Sequence, residues 1–450
     1  MRFSLFAMAR LAGALLVLAL PLAFLQPITR GPDGRGLIAR RALPGRAKLP
    51  IFGDTLELLK PENMAQYQLD RRERWGGFWK TSVLFKRAVV VVGAKQMAEA
   101  MKQEARPGTM EAFFPPHHQR LFGVNSILMV SGASHLRLRN LIQKALTPKA
   151  IQRYQEYMDT SIDEFVKGCK QSEGHFPMVR QLQEAMVRIV VSALFGQNAD
   201  EEEVDQLILN LRAWAKGLLS APLTFVPWSA ASRALRARKR VEDTLRNWIS
   251  RSKEDGTLLS QLLYAKDEDG STLSMEEVID NVFTLAFAGT DTTASSLSSA
   301  FLRLSRDVAL QAELRAAVAE GDPGDSLGAF LGEVLKDNPP APFAMRLVKE
   351  PVSFSGGEVP SGWLVVYGFA GRCAEAKDSQ DSQELSSNPA FGGGPRLCPG
   401  RFLATEAAKR LMQAVLGPEG FTWQLKEGQD LRQRYIPGFF PADGLLMKVQ

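Results

Sequence analysis

Apolar residues recur at three- and four-residue spacing along most of the chain between about residue 94 and residue 320. That spacing aligns side chains on one face of a helix, so it predicts a succession of amphipathic helices. The clearest patterns cover Ile151–Val166, Val179–Leu194, Val204–Leu219, Ser232–Ile249, Met275–Ser305 and Arg401–Val415.

Strand patterns are short and lie before and after this helical region. Runs rich in Val, Phe and Thr predict strands over six segments. The segments are Lys80–Phe85, Arg87–Val92, Val352–Phe354, Trp363–Val366, Phe421–Gln424 and Leu445–Val449. The pattern therefore predicts a mainly α fold with small peripheral β-sheets.

The first 48 residues differ in character from the rest of the chain. Leu11–Leu25 are fifteen residues without a charge, fewer than the roughly 20 that cross a bilayer, and arginines flank them on both sides. We expect a signal, anchor or targeting leader at 1–30, rather than a buried core helix, and a basic Pro/Gly-containing linker at 31–48. Membrane association at the endoplasmic reticulum follows, or alternatively a plastid location through a cleaved leader.

After the linker, no Gly/Ser tract or repeat divides the chain, which favours one large domain at 49–450. The net charge of +6 is spread along the sequence, so it does not indicate a nucleic-acid partner. The three cysteines, Cys169, Cys373 and Cys398, are too few and too widely spaced for a disulfide framework or a multi-cysteine zinc site.

The most informative stretch is Phe391–Gly400, which reads FGGGPRLCPG and precedes a predicted helix. Three glycines allow the backbone to approach a flat ligand closely, and backbone N–H groups at a helix start stabilise a thiolate at Cys398. Arg396 can bind a carboxylate, so the loop has what a haem held through sulfur requires. A phosphate-binding loop, a cysteine nucleophile and a plain structural turn are the alternatives.

A second informative block, Ala288–Thr293, lies in the middle of the longest helical pattern and reads AGTDTT. Gly, Asp and Thr are poor helix formers, and a threonine hydroxyl can bond back to a carbonyl one turn earlier and open the helix. A packing groove of small residues is one explanation. In the functional alternative, Gly289 lets a flat group or O₂ approach, while Asp291 and Thr292 manage protons.

These two blocks resemble two elements of the cytochrome P450 family. Phe391–Gly400 matches every fixed position of the haem-binding signature Phe-x-x-Gly-x-Arg-x-Cys-x-Gly, and Ala288–Thr293 matches Ala/Gly-Gly-x-Asp/Glu-Thr-Thr/Ser. The resemblance implies a P450-like fold with haem b, whose iron ligand is Cys398. The loop residues implied at the haem are Phe391, Gly392, Arg396 and Gly400, with Arg396 on a propionate.

The resemblance also implies roles on the opposite side of the haem. Ala288 and Gly289 shape the oxygen cleft, Asp291 is the acid of a proton relay, and Thr292 supplies a hydroxyl to dioxygen. His135 and Arg139, one helical turn apart, and Arg346 resemble further propionate contacts; for Arg139, a solvated basic face is the alternative.

The sequence departs from the family pattern at one structural element. The family's Glu-x-x-Arg is Glu333-Val-Leu-Lys336 here, and lysine lacks the planar five-donor fork of arginine. The later arginine that completes this triad has no counterpart, since a polar segment from Cys373 to Ser387 takes its place. We expect Glu333 and Lys336 to support the ligand loop more weakly than the family triad does.

The resemblance implies a monooxygenase that uses O₂ and external electrons to hydroxylate a lipophilic substrate, such as a retinoid, carotenoid, sterol or terpenoid. Pro222–Arg240 and the region of His135 resemble the retinoic-acid-hydroxylase and plant-steroid-hydroxylase branch. A separate NADPH reductase or ferredoxin would supply electrons to a monomeric enzyme, and Arg401, Lys409 and Arg410 could dock it. The alternatives are a reductase-independent isomerase or dehydratase of lipid hydroperoxides, and a non-catalytic haem-binding relic.

Substrate contacts are expected from four segments. They are Met110–Leu128, Leu219–Trp228, Phe283–Phe287 and Ile436–Phe440.

Overall fold

The computed structural model describes residues 43–45, 54–55, 64–196, 199–218, 220–267, 269–321, 323–375, 387–435 and 438–450. The predicted leader at 1–30, the linker at 31–48 apart from residues 43–45, and most of the polar segment after Cys373 lie outside these ranges. Within the part that the structure describes, no helix is both long enough and apolar enough to cross a membrane.

The described chain is mainly helical, as the pattern predicted. Its helices are α1 (Met64–Trp75), α2 (Ala94–Glu104), α3 (Pro116–Phe122), α4 (Gly132–Ala145), α5 (Pro148–Ile151), α6 (Gln155–Gln171), α7 (Met178–Phe195), α8 (Glu201–Leu218), α9 (Ala230–Arg251), α10 (Leu258–Tyr264), α11 (Met275–Arg306), α12 (Val308–Ala319), α13 (Pro323–Asp337), α14 (Phe369–Glu375) and α15 (Arg401–Leu416).

The strands are short and form small sheets beside the helices, which confirms that prediction. They are β1 (Phe78–Val83), β2 (Lys86–Val91), β3 (Met110–Ala112), β4 (Phe176–Pro177), β5 (Ala344–Val348), β6 (Val352–Phe354), β7 (Gly357–Val359), β8 (Leu364–Tyr367), β9 (Trp423–Leu425), β10 (Gln433–Tyr435), β11 (Phe439–Pro441) and β12 (Leu446–Val449).

The largest sheet has five strands in the order β1-β2-β8-β5-β3. Strand β8 pairs in parallel with β2 and antiparallel with β5, so Arg346 lies opposite Val365. The sequence pattern did not predict β5, although this strand carries Arg346. The sheet thereby holds in place Arg346, which the sequence had indicated as a candidate propionate contact.

Helix α11 runs through the main hydrophobic core and begins with a capping box. The Ser274 hydroxyl accepts a hydrogen bond from the Glu277 amide at 3.2 Å, and the Glu277 carboxylate accepts one from the Ser274 amide at 2.8 Å. This reciprocal pair satisfies two amides at the helix start. The hydroxyls of Thr290 and Thr292 donate to the carbonyls of Ala286 and Ala288, yet the helix is continuous, so the predicted opening is absent.

Candidate functional site

The loop before α15 consists of two single turns of 3₁₀-helix, Pro389–Phe391 and Gly394–Arg396, followed by Cys398. The Cys398 amide donates a hydrogen bond to the Phe391 carbonyl at 3.0 Å, which closes the loop on itself. Gly392 and Gly394 have φ of +80° and +61°, a region that favours glycine. The loop therefore places the cysteine directly before the first turn of α15.

The glycines of this loop are packed against protein. A Cβ atom on Gly393 would lie 2.9 Å from the Met101 sulfur, and one on Gly394 would lie 2.9 Å from the Met101 Cβ. A Cβ on Gly392 would lie 3.4 Å from the Phe369 ring, whereas Gly400 has open space at this position. Close packing on α2 and α14 thus explains the three consecutive glycines, and only Gly400 has open space for a close approach.

Opposing effects act on the thiol of Cys398. Burial raises its pKa, while the Gly400 amide, Arg139 and Arg401 lower it. The predicted stabilisation by a backbone N–H group is present and nearby positive charge adds to it, but burial is the larger effect in the protein alone. A Lewis-acidic metal at the sulfur would reverse that balance, because a coordinating thiol is deprotonated.

Arg396 is anchored to the segment before α4. Its guanidinium donates to the Val130 carbonyl at 2.7 Å, to the Ser131 hydroxyl at 3.1 Å and to the Ile127 carbonyl at 3.4 Å. The Glu104 carboxylate lies 3.6 Å from its Nε. Burial, with the charges of Arg346 and Arg139 acting in the same direction, lowers the pKa of Arg396 to about 10, against the raising effects of Glu104 and Glu111.

Glu104 is a buried carboxylate that the sequence gave no reason to single out. It accepts hydrogen bonds from the Arg346 Nε and, at 3.0 Å, from the Tyr367 hydroxyl. Among the described residues it is the carboxylate that contacts both Arg346 and Arg396. Its negative charge thus holds two arginines from distant parts of the chain at one place.

His135 and Arg139 complete a basic cluster with Arg346 and Arg396. Burial lowers the pKa of His135 to about 4, with the charges of Arg396, Arg139 and Arg346 acting in the same direction. The imidazole is therefore neutral at pH 7. Three arginines against the one carboxylate of Glu104 leave two positive charges uncompensated within the cluster.

The middle of helix α11 is partly exposed although both flanks are buried. Residues 278–284 and 293–301 are buried, whereas Ala288, Gly289, Asp291 and Thr292 keep accessible surface. The first turns of α15, residues 401–406, and the Cys398 loop are also only partly buried. Since interiors are otherwise closely packed, this pattern indicates internal space at the centre of the domain.

Gly289 and Asp291 both face helix α7. A Cβ atom on Gly289 would lie 3.2 Å from a Val190 methyl, which supports the packing-groove explanation for this glycine. The Asp291 carboxylate accepts a hydrogen bond from the Gln183 side chain at 2.8 Å. Burial raises the pKa of Asp291 to about 6, against the lowering effects of Gln183 and the Arg212 charge. Asp291 can therefore exchange a proton near neutral pH.

We expect Asp291→Asn to stabilise the protein at pH 7.5. The pKa of Asp291 in the folded protein lies above its ordinary value of 3.8. The stability that the protonated carboxyl contributes is therefore fully present below pH 3.8, and it is lost as the pH rises through about 6. The amide avoids that loss and can still accept from Gln183. Thermal unfolding between pH 4 and 8 should show the variant's advantage growing with pH.

The exposed Asp243 on α9 offers the matched control, since Asp243→Asn makes the same chemical change at the surface. An Asp291→Asn protein that is less stable than wild type at pH 7.5, or whose stability difference does not change with pH, would contradict the assignment of a buried, proton-exchanging carboxyl.

The predicted pair of Glu333 and Lys336 forms on α13, with 3.0 Å between Nζ and Oε1. Lys336 is buried, whereas 44% of the Glu333 side chain is exposed. An ion pair with one half-exposed partner contributes little to stability. The weaker support that the sequence predicted stays a prediction, but this geometry agrees with it.

Aromatic rings from three helices meet beside the centre of α11. Trp214 of α8 lies 4.4 Å from Phe287 and 5.0 Å from Phe122 of α3, measured between ring centroids. The Trp214 indole donates to the Leu121 carbonyl at 3.0 Å, so its polar atom is satisfied and the buried ring supports Phe287 from behind. Phe287 keeps accessible surface next to Ala288.

Three residues in the segments expected to contact substrate are either buried in packing or exposed on the outer surface. Phe283 is fully buried under the Arg238 guanidinium, 4.1 Å from the ring centroid. Phe439 is buried, and its backbone bonds the Ser295 hydroxyl through both N–H and C=O. Phe225 faces solvent on the outer surface. Leu219, Ile436 and Pro437 lie outside the described residues.

A buried ion pair holds the segment between α3 and α4 onto α11. Arg238 of α9 contacts Asp280 of α11, which also accepts from the Asn125 amide at 3.1 Å and from the Asn125 side chain at 3.2 Å. The adjacent Asn281 accepts from the Ile127 amide at 2.8 Å. The carbonyls of Ile127 and Val130 in the same segment accept hydrogen bonds from Arg396, so the segment is held both by α11 and by the cysteine loop.

The three residues expected to dock an electron donor have different contacts in the structure. Arg410 bonds Asp159 at 2.8 Å and Glu406 at 2.6 Å, so its charge is compensated. Arg401 lies over the Phe402 ring, 4.2 Å from the centroid, and adds positive charge beside Cys398. Lys409 lies near Gly328 of α13. Docking by these residues stays a prediction.

Comparison with known proteins gives a consistent result. The family model "Cytochrome P450" matches residues 43–369. Cytochrome P450 26B1 of Danio rerio is 26% identical over 98% of this chain and 94% of its own length. A putative cytochrome P450 120 of Synechocystis is 27% identical over 90% of this chain and 96% of its own length.

A solved structure shares the fold. The retinoic-acid-bound cyanobacterial CYP120A1 superposes with a TM-score of 0.78 at 24% identity, covering 92% of this chain and all of that one. The family model ends before the cysteine loop, but the match to the Danio protein covers nearly the whole chain. The resemblance stated from the two motifs and the fold class that it implied are both confirmed.

Proposed function

We propose that this chain, a monooxygenase that belongs to the cytochrome P450 family, hydroxylates a lipophilic substrate at a haem held by the Cys398 thiolate. The family implies haem iron with a cysteine ligand, O₂ and a redox partner. The observation that carries the proposal is the position of Cys398 beside a basic cluster, in a domain where the centre of α11 and the start of α15 both keep accessible surface. In this arrangement Cys398 would hold the iron, the basic cluster would bind the propionates, and the centre of α11 would face O₂ and substrate.

The residues present fit a haem. Its two propionates carry two negative charges, and the cluster of Arg139, Arg346, Arg396 and Glu104 carries two uncompensated positive ones. The centre of α11 and the start of α15 both keep accessible surface that a flat group could cover, and a Cβ atom on Gly400 would meet no atom within 4 Å. Bound haem would supply the redox chemistry and the activation of dioxygen.

The chain's own groups would bind substrate and move protons. The accessible ring of Phe287, backed by the buried rings of Phe122 and Trp214, offers an apolar surface that excludes water and favours a lipophilic molecule. The Thr292 hydroxyl donates to the Ala288 carbonyl at 2.6 Å and keeps lone pairs that can accept a hydrogen bond. Asp291, with a pKa of about 6, would pass protons inward from the Gln183 side.

Turnover that depends on both an electron donor and O₂ tests this proposal. Purified holoprotein is mixed with a reductase or a ferredoxin system and with retinoid, carotenoid, sterol and terpenoid probes, and hydroxylated products are measured. The proposal requires product only when donor and O₂ are both present. Product from a lipid hydroperoxide without a donor would favour the isomerase or dehydratase alternative, and failure to bind haem would favour the relic.

The retinoid class has one specific observation in its favour. The structure with a TM-score of 0.78 to this chain is described as retinoic-acid-bound, and the sequence resembles that branch around Pro222–Arg240. We therefore place retinoids first among the probes. A sterol or terpenoid that is turned over while retinoids are not would exclude the retinoid assignment but leave the monooxygenase intact.

We also propose that the loop between α8 and α9 docks on an anionic membrane surface. Phe225 and Trp228 are 80% and 76% exposed there. Arg236 donates to the Pro227 carbonyl at 2.8 Å and Arg233 to the Trp228 carbonyl, so the basic start of α9 adjoins the apolar loop. Exposed rings beside arginines suit the interface of a bilayer with anionic lipids.

Vesicle flotation with phosphatidylserine-containing bilayers tests this docking surface. The double variant Phe225→Ser/Trp228→Ser should bind vesicles at least about tenfold more weakly than wild type, because two apolar anchors are lost. Val308→Ser, which removes a similarly exposed apolar side chain from α12, is the control. Equal binding by wild type and the double variant would contradict the proposal.

A further inference from the structure

Asn388 lies where the chain enters the cysteine loop, and only 2% of it is exposed. Its side chain uses both ends of the amide. The Nδ2 donates a hydrogen bond to the Gly332 carbonyl of α13 at 2.9 Å, and Oδ1 accepts one from the Ala390 amide at 3.0 Å. A buried amide with a donor and an acceptor both engaged fixes two backbone segments relative to each other.

The bonds of Asn388 continue to the cysteine. Oδ1 caps the single turn Pro389–Phe391, and the Asn388 carbonyl accepts from the Phe391 amide at 3.0 Å. The Phe391 carbonyl in turn accepts from the Cys398 amide at 3.0 Å. A continuous series of hydrogen bonds therefore connects the backbone of α13 with the backbone of Cys398.

The anchor point is next to the weak ion pair. Gly332 directly precedes Glu333, whose side chain is 44% exposed and pairs with Lys336. The sequence predicted that Glu333, Lys336 and a further arginine would support the loop, and the arginine has no counterpart. Asn388 is the buried side chain that joins the same helix to the loop by two short hydrogen bonds.

We propose that Asn388 is the positioning residue of the Cys398 loop, and that it provides the support that Glu333 and Lys336 provide only weakly in this chain. This inference rests on the proposed function, since the loop's task is to present the thiolate to haem iron. Asn388 touches neither haem nor substrate; it acts through the backbone of Phe391 and Cys398.

Two substitutions at Asn388 distinguish the contributions of its two side-chain hydrogen bonds. Asn388→Leu keeps the volume and loses both bonds, whereas Asn388→Asp keeps the acceptor for Ala390 and loses the donor to Gly332. Glu333→Gln removes the charge of the neighbouring pair. Asn210→Leu is the matched control, since it removes a side-chain bond of 2.8 Å to the Gln206 carbonyl on the distant helix α8.

Haem content and the spectrum of the reduced, carbon-monoxide-bound holoprotein are the first readouts. We expect Asn388→Leu to lower haem retention about tenfold, since two hydrogen bonds are lost, and to shift the remaining Soret band away from the thiolate position. Asn388→Asp should be intermediate, and Glu333→Gln should resemble the Asn210→Leu control.

Hydrogen exchange of the haem-free proteins is the second readout, and it does not need the cofactor. The amides of Ala390, Phe391 and Cys398 should exchange faster in Asn388→Leu and Asn388→Asp than in wild type, while those of α8 should not. If wild type lacks a thiolate signature, the proposed function fails while exchange still tests Asn388. If Asn388→Leu does not fold, Asn388→Asp serves for both readouts.

The inference is overturned if both Asn388 variants retain haem and exchange like wild type. It is also overturned if Glu333→Gln loses more haem than Asn388→Leu, because the ion pair would then be the principal support.

Discussion

Replacing Cys398 with serine is expected to reduce donor- and O₂-dependent turnover to background and to remove the thiolate signature from the haem spectrum. Serine keeps the size of the side chain but lacks the sulfur that ligates iron. The fold should survive, because the loop is held by the Phe391 carbonyl and by Arg396 rather than by the thiol. Product formation, haem spectra and thermal unfolding are measured in parallel.

Cys169 provides the matched control for that substitution. It is buried in the helical core, and burial raises the pKa of its thiol to about 12. Cys169→Ser should therefore alter stability but leave the spectrum and the donor dependence of turnover unchanged. Turnover that persists in Cys398→Ser would disprove the assignment of Cys398 as the iron ligand.

The largest effect on stability is expected from Asp280→Ala, which should lower the free energy of unfolding by about 3–5 kcal/mol. The substitution leaves the buried Arg238 guanidinium without its carboxylate, and it removes the acceptor for both Asn125 donors. Burial raises the pKa of Asp280 and lowers that of Arg238, so desolvation disfavours both charges and the loss of either partner is costly.

The double variant Asp280→Ala/Arg238→Met tests the cause of that loss. Removing both charges should recover at least half of the free energy, because methionine can occupy the space over the Phe283 ring without a buried charge. Urea unfolding, followed by tryptophan fluorescence, measures all three proteins. A single variant that costs less than about 1 kcal/mol, or a double variant no more stable than the single one, would contradict this explanation.

The sequence predicted the long elements well because their patterns are long. Helix α11 was expected at Met275–Ser305 and is found at Met275–Arg306, and its capping box lies within four residues. Strand β5 was missed because its five residues lie in a proline-rich stretch and include Arg346. Short strands are fixed by their neighbours in the sheet, and a local pattern does not contain those neighbours.

The sequence singled out the residues that we propose to be reactive, but not the residues that hold them. Cys398, Arg396 and Asp291 stand in motifs, so their chemistry could be predicted. Glu104 pairs with an arginine 242 positions away, and Asn388 directly follows the polar segment that ends at Ser387. Such partners are set by tertiary packing, and only the folded chain brings them together.

The same limit applies to the reasons for particular residues. The glycines before Cys398 were expected to admit a flat ligand, but Gly393 and Gly394 are required by the close approach of Met101. Gly289 was expected to admit O₂, but its Cβ position faces Val190. In both cases the sequence indicated that a glycine is needed. Which neighbouring atoms require it depends on helices that are far away in the sequence.

The central claim, that Cys398 holds haem iron as a thiolate, is tested most directly by one absorbance spectrum. Purified wild-type protein is reduced, exposed to carbon monoxide and compared with a Cys398→His variant that offers the iron an imidazole. The account predicts a strongly red-shifted Soret band in wild type and a band at the histidine position in the variant. The same histidine-like band in both proteins would contradict the account.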